Sequence, residues 1–137
     1  MSRLMTLLKK DVGEGKREEQ VIFSSRLKND DGSPVTATVT PISSRQLADY
    51  RKQVTKAGKK GKIDFDQYRY YNLIVLNHTV DPNFKDEKEI KELGCQTPEQ
   101  LLDKLLNAGE VENLVQAILE ISGLDESIEE LKDQAKN

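Results

Sequence analysis

Apolar residues return along this chain in two rhythms, period two near its start and the three-to-four spacing of helices over most of the rest. Gln20-Val-Ile-Phe-Ser-Ser-Arg-Leu has the β-branched and aromatic content of a strand, and Val35-Thr-Ala-Thr-Val-Thr alternates apolar with hydroxyl side chains. Between them Asn29-Asp-Asp-Gly-Ser-Pro supplies a glycine for positive φ and a proline that limits the next strand, so the pair predicts a β-hairpin over 19–40. Two strands alone are marginal in water. The hairpin must pack on helices or pair with another chain.

From residue 43 the pattern is helical. Ser43 with Gln46 matches a capping box and opens a helix over 46–57 that carries Leu47, Tyr50, Val54 and Ala57 on one face and stops at Gly58. Asp64 with Gln67 repeats the cap signature ahead of residues 65–80, where Tyr70-Tyr-Asn-Leu-Ile-Val-Leu is apolar almost all the way round. A buried strand would have similar composition, but the length, the cap and the following Asp81-Pro82 favour a helix at the centre of the core. Asp86 caps a short helix closed by Gly94. Thr97 caps the next, with Pro98 at its first position and Gln100 three residues on. That helix puts Leu101, Leu102, Leu105 and Leu106 on one side and ends at Asn107-Ala-Gly109. Residues 110–122 follow with Val111, Leu114, Val115, Ile118 and Leu119 at helical spacing and Gly123 as terminator, so the short connection predicts an antiparallel helical hairpin. Each fully buried Leu or Ile there contributes roughly 1.5–3 kcal/mol, enough to hold helices that would be marginal alone.

The two ends are weaker. Leu4, Met5, Leu7 and Leu8 suggest one short helical turn, and the glycines and dense charge up to residue 18 suggest a flexible segment. At the other end Leu124, Ile128, Leu131 and Ala135 form only a thin stripe. The expected fold is α+β and mainly helical: a single domain over 1–137 in which an N-terminal β-hairpin packs on a C-terminal bundle of about five helices, 43–137.

Composition narrows the function. With 36% hydrophobic residues, 33% charged and no Trp, the chain is globular but lean in apolar material. No run approaches the roughly 18 apolar residues of a membrane span, and the N-terminus lacks the apolar core and cleavage site of a signal peptide, so a cytoplasmic protein without membrane contact is expected. Cys95 has no disulfide partner or metal spacing. His78 is the sole imidazole and sits near a helix end, where the dipole favours it without any catalytic role. Gly58-Lys-Lys-Gly-Lys has the wrong spacing for a phosphate loop, with Ile63 where Ser or Thr would bind magnesium, and reads as a flexible basic connector. The carboxylate pairs Asp64/Asp66 and Glu129/Glu130 fall in caps or on charged faces. No catalytic, cofactor-binding or metal-binding residue is predicted, and the chain reads as a protein that binds rather than reacts.

The net charge of −3 hides an asymmetry. Residues 1–62 hold 14 Lys and Arg against 7 Asp and Glu, a net of +7; residues 63–137 hold 7 against 17, a net of −10. Such a split can orient partners or bring copies of the chain together head to tail, and salt weakens it. It also allows a second reading, a small nucleic-acid-binding regulatory protein whose Arg51, Lys52, Lys56, Lys59, Lys60 and Lys62 face phosphates. The acidic remainder and the absence of a recognition helix stand against that.

The order of several local features resembles the XkdN-like tail assembly chaperones of phages and prophages. The features are the Asp81-Pro82-Asn83-Phe84 entry, Thr97-Pro98-Glu99 before a Leu-Leu helix, Leu105-Leu106 followed by Ala108-Gly109-Glu110, Ile121-Ser122-Gly123 and the terminal Ala135-Lys136-Asn137. The resemblance implies a non-enzymatic factor of the host cytoplasm, absent from the mature virion, that binds the long helical tape measure protein before the tail tube polymerises around it. It also implies a longer, frameshifted product that recruits tail tube protein. Ala135-Lys136-Asn137 can be encoded as GCA AAA AAC, which contains the slippery heptamer A AAA AAC, although Leu27-Lys28-Asn29 permits the same heptamer. The candidate client-contacting residues are the exposed part of the leucine stripe, Leu101, Leu105, Leu114 and Ile118, with Tyr70 and Tyr71 beside it.

Overall fold

The N-terminal hairpin forms, although its first strand stops at Ile22 instead of running on to Leu27. In a computed structural model that describes residues 2–7 and 17–124, β1 (Glu19–Ile22) pairs antiparallel with β2 (Thr36–Val39) in the register Glu19 to Val39 through Ile22 to Thr36. The register puts Ala37 and Val39 inside and leaves Thr36 out, as a period of two requires. Gly32 takes the turn's positive φ of 87°. A short helix, α1 (Arg3–Leu7), precedes the hairpin, with Arg3, Leu4, Met5 and Thr6 exposed. Residues 8–16 of the N-terminal segment expected to be flexible over 1–18, and all of the thin stripe of Leu124, Ile128, Leu131 and Ala135 but Leu124, lie outside the described residues.

Five helices follow: α2 (Ser44–Val54), α3 (Gln67–His78), α4 (Glu87–Glu92), α5 (Pro98–Leu105) and α6 (Ala108–Ile121). The architecture is therefore α+β and mainly helical. Four of the five helix starts carry the cap read from the sequence or lie within two residues of it. Ser43 and Gln46 make the reciprocal capping box on α2. The Asp86 carboxylate accepts from the Lys88 and Glu89 amides, and the Thr97 hydroxyl accepts from the Gln100 amide. On α3 the cap is Asp66, which accepts from the Arg69 amide, rather than Asp64. Ser43→Ala removes one of these caps from an exposed site and should lower stability by about 1 kcal/mol in urea unfolding, with little change in the slope.

Three elements differ from expectation. The helix at 46–57 stops at Val54, and Thr55–Ala57 instead forms β3, which pairs antiparallel with β4 (Ile63–Phe65) in a separate two-stranded ribbon. The basic connector is the turn of that ribbon, with Lys60 at φ 60°. Gly58 is required there, since a Cβ would lie 2.9 Å from the Lys62 carbonyl oxygen. The predicted helix over 65–80 ends at His78, and Thr79–Asp81 forms β5, which pairs with β2 to make a sheet of order β1-β2-β5. β-Branched Thr79 and Val80, and the bias of the residue before Pro82 away from helix, explain that switch. Finally, Asn107 is not a helix end but the N-cap of α6, in a reciprocal box with Glu110, so Gly109 lies within the first turn of α6.

The core gathers around α3. Ile74 and Val75 on α3, Leu102 on α5, and Leu114, Val115 and Ile118 on α6 are fully enclosed with Val39 of the sheet. α6 packs chiefly on α3, with α2 on another side, so α5 and α6 do not form the face-to-face hairpin that their short connection predicted. His78 ends α3 in the core, its Nε2 2.8 Å from the Tyr50 hydroxyl and its carbonyl accepting from the Thr40 amide at 2.8 Å. Its role is to join α2, α3 and β2, as the sequence reading expected of a structural histidine.

Candidate functional site

The six residues proposed from sequence divide sharply. Leu101, Leu114 and Ile118 are buried in the protein's own core. Leu105 is the member of the stripe that remains open, at 37% exposure, and Tyr70 and Tyr71 are half-buried on α3. The stripe is split because α3, apolar almost all the way round, offers α6 a second surface to cover.

Tyr71 opens onto a groove of about 380 Å³ between α3, the end of α5 and the start of α6. Its apolar lining is Tyr71, Leu106, Ala108 and Val111, and Gln67, Asp103, Asn107 and Glu112 supply polar groups. The Tyr68 hydroxyl donates to Asp103 Oδ2 at 2.7 Å and ties α3 to α5 beside the groove. That bond to a carboxylate raises the Tyr68 pKa, with burial adding to it. A second opening of about 330 Å³ shares Tyr68 and Asn72 and reaches Arg69 and Glu99.

Asn72 lines both openings. Asn72 is 4% exposed, and its Nδ2, which has no well-aligned acceptor, interacts with the Tyr68 hydroxyl and so pulls that group's pKa down. The groove has the composition of a recognition site: an apolar floor and a polar rim. Asn72 was legible as the single polar residue inside Tyr70-Tyr-Asn-Leu-Ile-Val-Leu, although nothing in the sequence showed that it would line a groove.

The wall formed by the start of α6 is held in place by Glu110, which is 4% exposed. Its carboxylate accepts from the Ser24 hydroxyl, from the Asn107 amide at 2.9 Å and from Arg26 Nη2 at 2.8 Å. Arg26 Nη2 also donates to the Leu105 carbonyl at 2.6 Å, and Asn113 Nδ2 donates to the Phe23 carbonyl at 3.0 Å. These bonds tie the stretch after β1 to the α5–α6 connection. Burial pushes the Glu110 carboxyl up, but the bonds from Ser24, Asn107 and Arg26 more than offset it and hold its pKa below the ordinary 4.5.

Among the described residues no group of three His, Cys, Asp or Glu side chains is placed to hold a metal ion, and no helix is long and apolar enough to cross a membrane. The basic residues considered for phosphate contact are spread out. Arg51 and Lys52 lie in the last turn of α2, and Lys56, Lys59, Lys60 and Lys62 lie on the ribbon and its turn.

Residues 4–136 match the sequence profile of the phage XkdN-like tail assembly chaperone proteins. Two proteins of Bacillus subtilis strain 168 are similar over most of their length. YqbN is 29% identical over 126 residues, spanning 88% of this chain and 84% of the relative. The phage-like element PBSX protein XkdN is 25% identical over 125 residues, with the same two coverages of 88% and 84%. The crystal structure of YqbN superposes with a TM-score of 0.60 at 23% identity, covering 79% of this chain and 86% of that one, which shows a shared fold.

Proposed function

Because this chain belongs to the phage XkdN-like tail assembly chaperone family, we propose that it binds the tape measure protein and keeps it soluble while the tail is built. Family membership carries this reading, and the groove between α3, α5 and α6 supports it. A long, apolar helical client exposes surface that would otherwise aggregate, and a small protein can cover that surface by offering an apolar groove with a polar rim. The client would lay an apolar helix face against Tyr71, Leu106 and Val111 and meet the polar groups of Asp103, Asn107 and Glu112 at the rim. The role is that of a non-enzymatic factor of the host cytoplasm which leaves before the virion is complete. A longer frameshifted product, made at the codons for Ala135-Lys136-Asn137, would bring tail tube protein to the same client. An AAG codon for Lys136 would rule that product out.

Co-expression tests the reading. Tape measure protein made together with this chain should shift from the pellet to the soluble fraction, and it should stay in the pellet when made alone. An unchanged soluble fraction with the chain present would sink the proposal. The nucleic-acid alternative predicts binding to plain duplex DNA at low salt, and the chaperone reading predicts no gel shift under those conditions.

A further inference from the structure

The ribbon of β3 and β4 stands outside the core. All six of its strand residues are exposed, with Ile63 at 72% and Phe65 at 49%. A two-stranded ribbon has little stability of its own. Phe65 rests edge to face on Tyr70, with ring centroids 5.2 Å apart, which fixes the base of the ribbon on α3. Near its tip, Ile63 is surrounded in sequence by Lys56, Lys59, Lys60 and Lys62, and among the described residues none of these four makes an ion pair. An exposed apolar pair among unpaired cations fits a partner with an apolar floor and an anionic rim.

The groove is such a surface. Its floor is Tyr71, Leu106 and Val111, its edge carries Asp103 and Glu112, and the adjoining opening adds Asp66 and Glu99 against one cation, Arg69. No Lys or Arg lines the groove. The acids of α4 are a poorer match, because Lys85, Lys88 and Lys91 are interspersed with them. Pairing of two ribbons edge to edge would set lysines against lysines, which disfavours that arrangement.

We propose that the ribbon of one copy seats in the groove of a second copy. On each chain the two surfaces are neighbours, since β4 runs through Asp66 into α3, whose Gln67 and Tyr68 line the groove. A two-fold arrangement therefore lets both contacts form at once. A second copy and the client then compete for one groove, so the chain stays paired until a client displaces its partner. That competition rests on the chaperone reading above; the contact between copies does not.

Sedimentation of the full chain across a concentration series tests the contact. The expected mass exceeds the 15.5 kDa of one chain at low salt, and the dissociation constant should weaken about tenfold or more on going from roughly 0.05 M to 0.5 M salt. Lys60→Glu with Lys62→Glu on the ribbon, and separately Glu99→Lys with Glu112→Lys at the groove, alter exposed side chains and should each give monomers with unchanged circular dichroism. Mixing the two variants restores opposite charges at both contacts and should restore association. A chain that is monomeric at every concentration, or reversed variants that associate like the parent, would overturn the proposal. A monomeric parent whose ribbon variant loses the tape measure protein would also overturn it and give the ribbon to the client. Intact self-association with no binding of tape measure protein would remove the chaperone reading and leave this contact standing.

Discussion

Glu110→Ala should lower the unfolding free energy by about 3 kcal/mol, because it strands the Ser24 hydroxyl and the Asn107 amide and breaks a charge pair whose acidic member is buried. Arg26 is half exposed, so its charge returns to water at low cost, which keeps the loss from growing larger. Glu110→Gln preserves the shape and some of the bonds and should cost about half as much. Urea unfolding reads both values. The same network sets a pH dependence. The native carboxyl holds its charge to lower pH than in the unfolded chain, so between the native pKa and about 4.5 the unfolded chain binds the extra proton. The contribution is complete above that range and is lost as pH falls through the native value. The Glu110→Gln protein should show a flatter fall in stability over this window, and an identical fall would show that the network adds nothing to folding.

The leucine stripe provides the second large effect. Leu114→Ala removes a fully enclosed side chain between α6 and α3 and should cost about 3–4 kcal/mol, while Leu105→Ala, at 37% exposure, should cost under about 1 kcal/mol. Thermal and urea unfolding of the two proteins check the contrast. Equal losses would mean that α6 does not pack on α3 as described.

That contrast also marks where sequence reasoning stopped. Both leucines occupy the same kind of position in a helical repeat, and periodicity cannot say which neighbour covers which face. Caps were legible because they depend on contacts three residues away: Ser43, Asp86 and Thr97 stand where the pattern put them. The pairing of β1 with β2 was legible because residues 35–40 alternate and Gly32 with Pro34 marks the turn before them. The ribbon of β3 and β4 was not, since strands of three residues with no buried face leave no alternation to detect. β5 depends on the free edge of β2, and only the folded chain brings the two together. The groove has the same origin. Tyr71 was named as a contact candidate, but Leu106 and Val111 look like ordinary core positions in the sequence, and they line a groove because α5 ends at Leu105 and α6 restarts at Ala108.

Occupation of the groove by a client, as proposed, is read out by affinity co-purification. Tape measure protein co-expressed with the tagged parent chain should co-purify with it, and its recovery should fall about tenfold or more with Val111→Asp, a half-buried groove position whose new charge would be desolvated by any apolar client. The Val111→Asp chain must keep its circular dichroism spectrum for the comparison to count. Equal recovery with both chains, or none with the parent, would contradict the proposal.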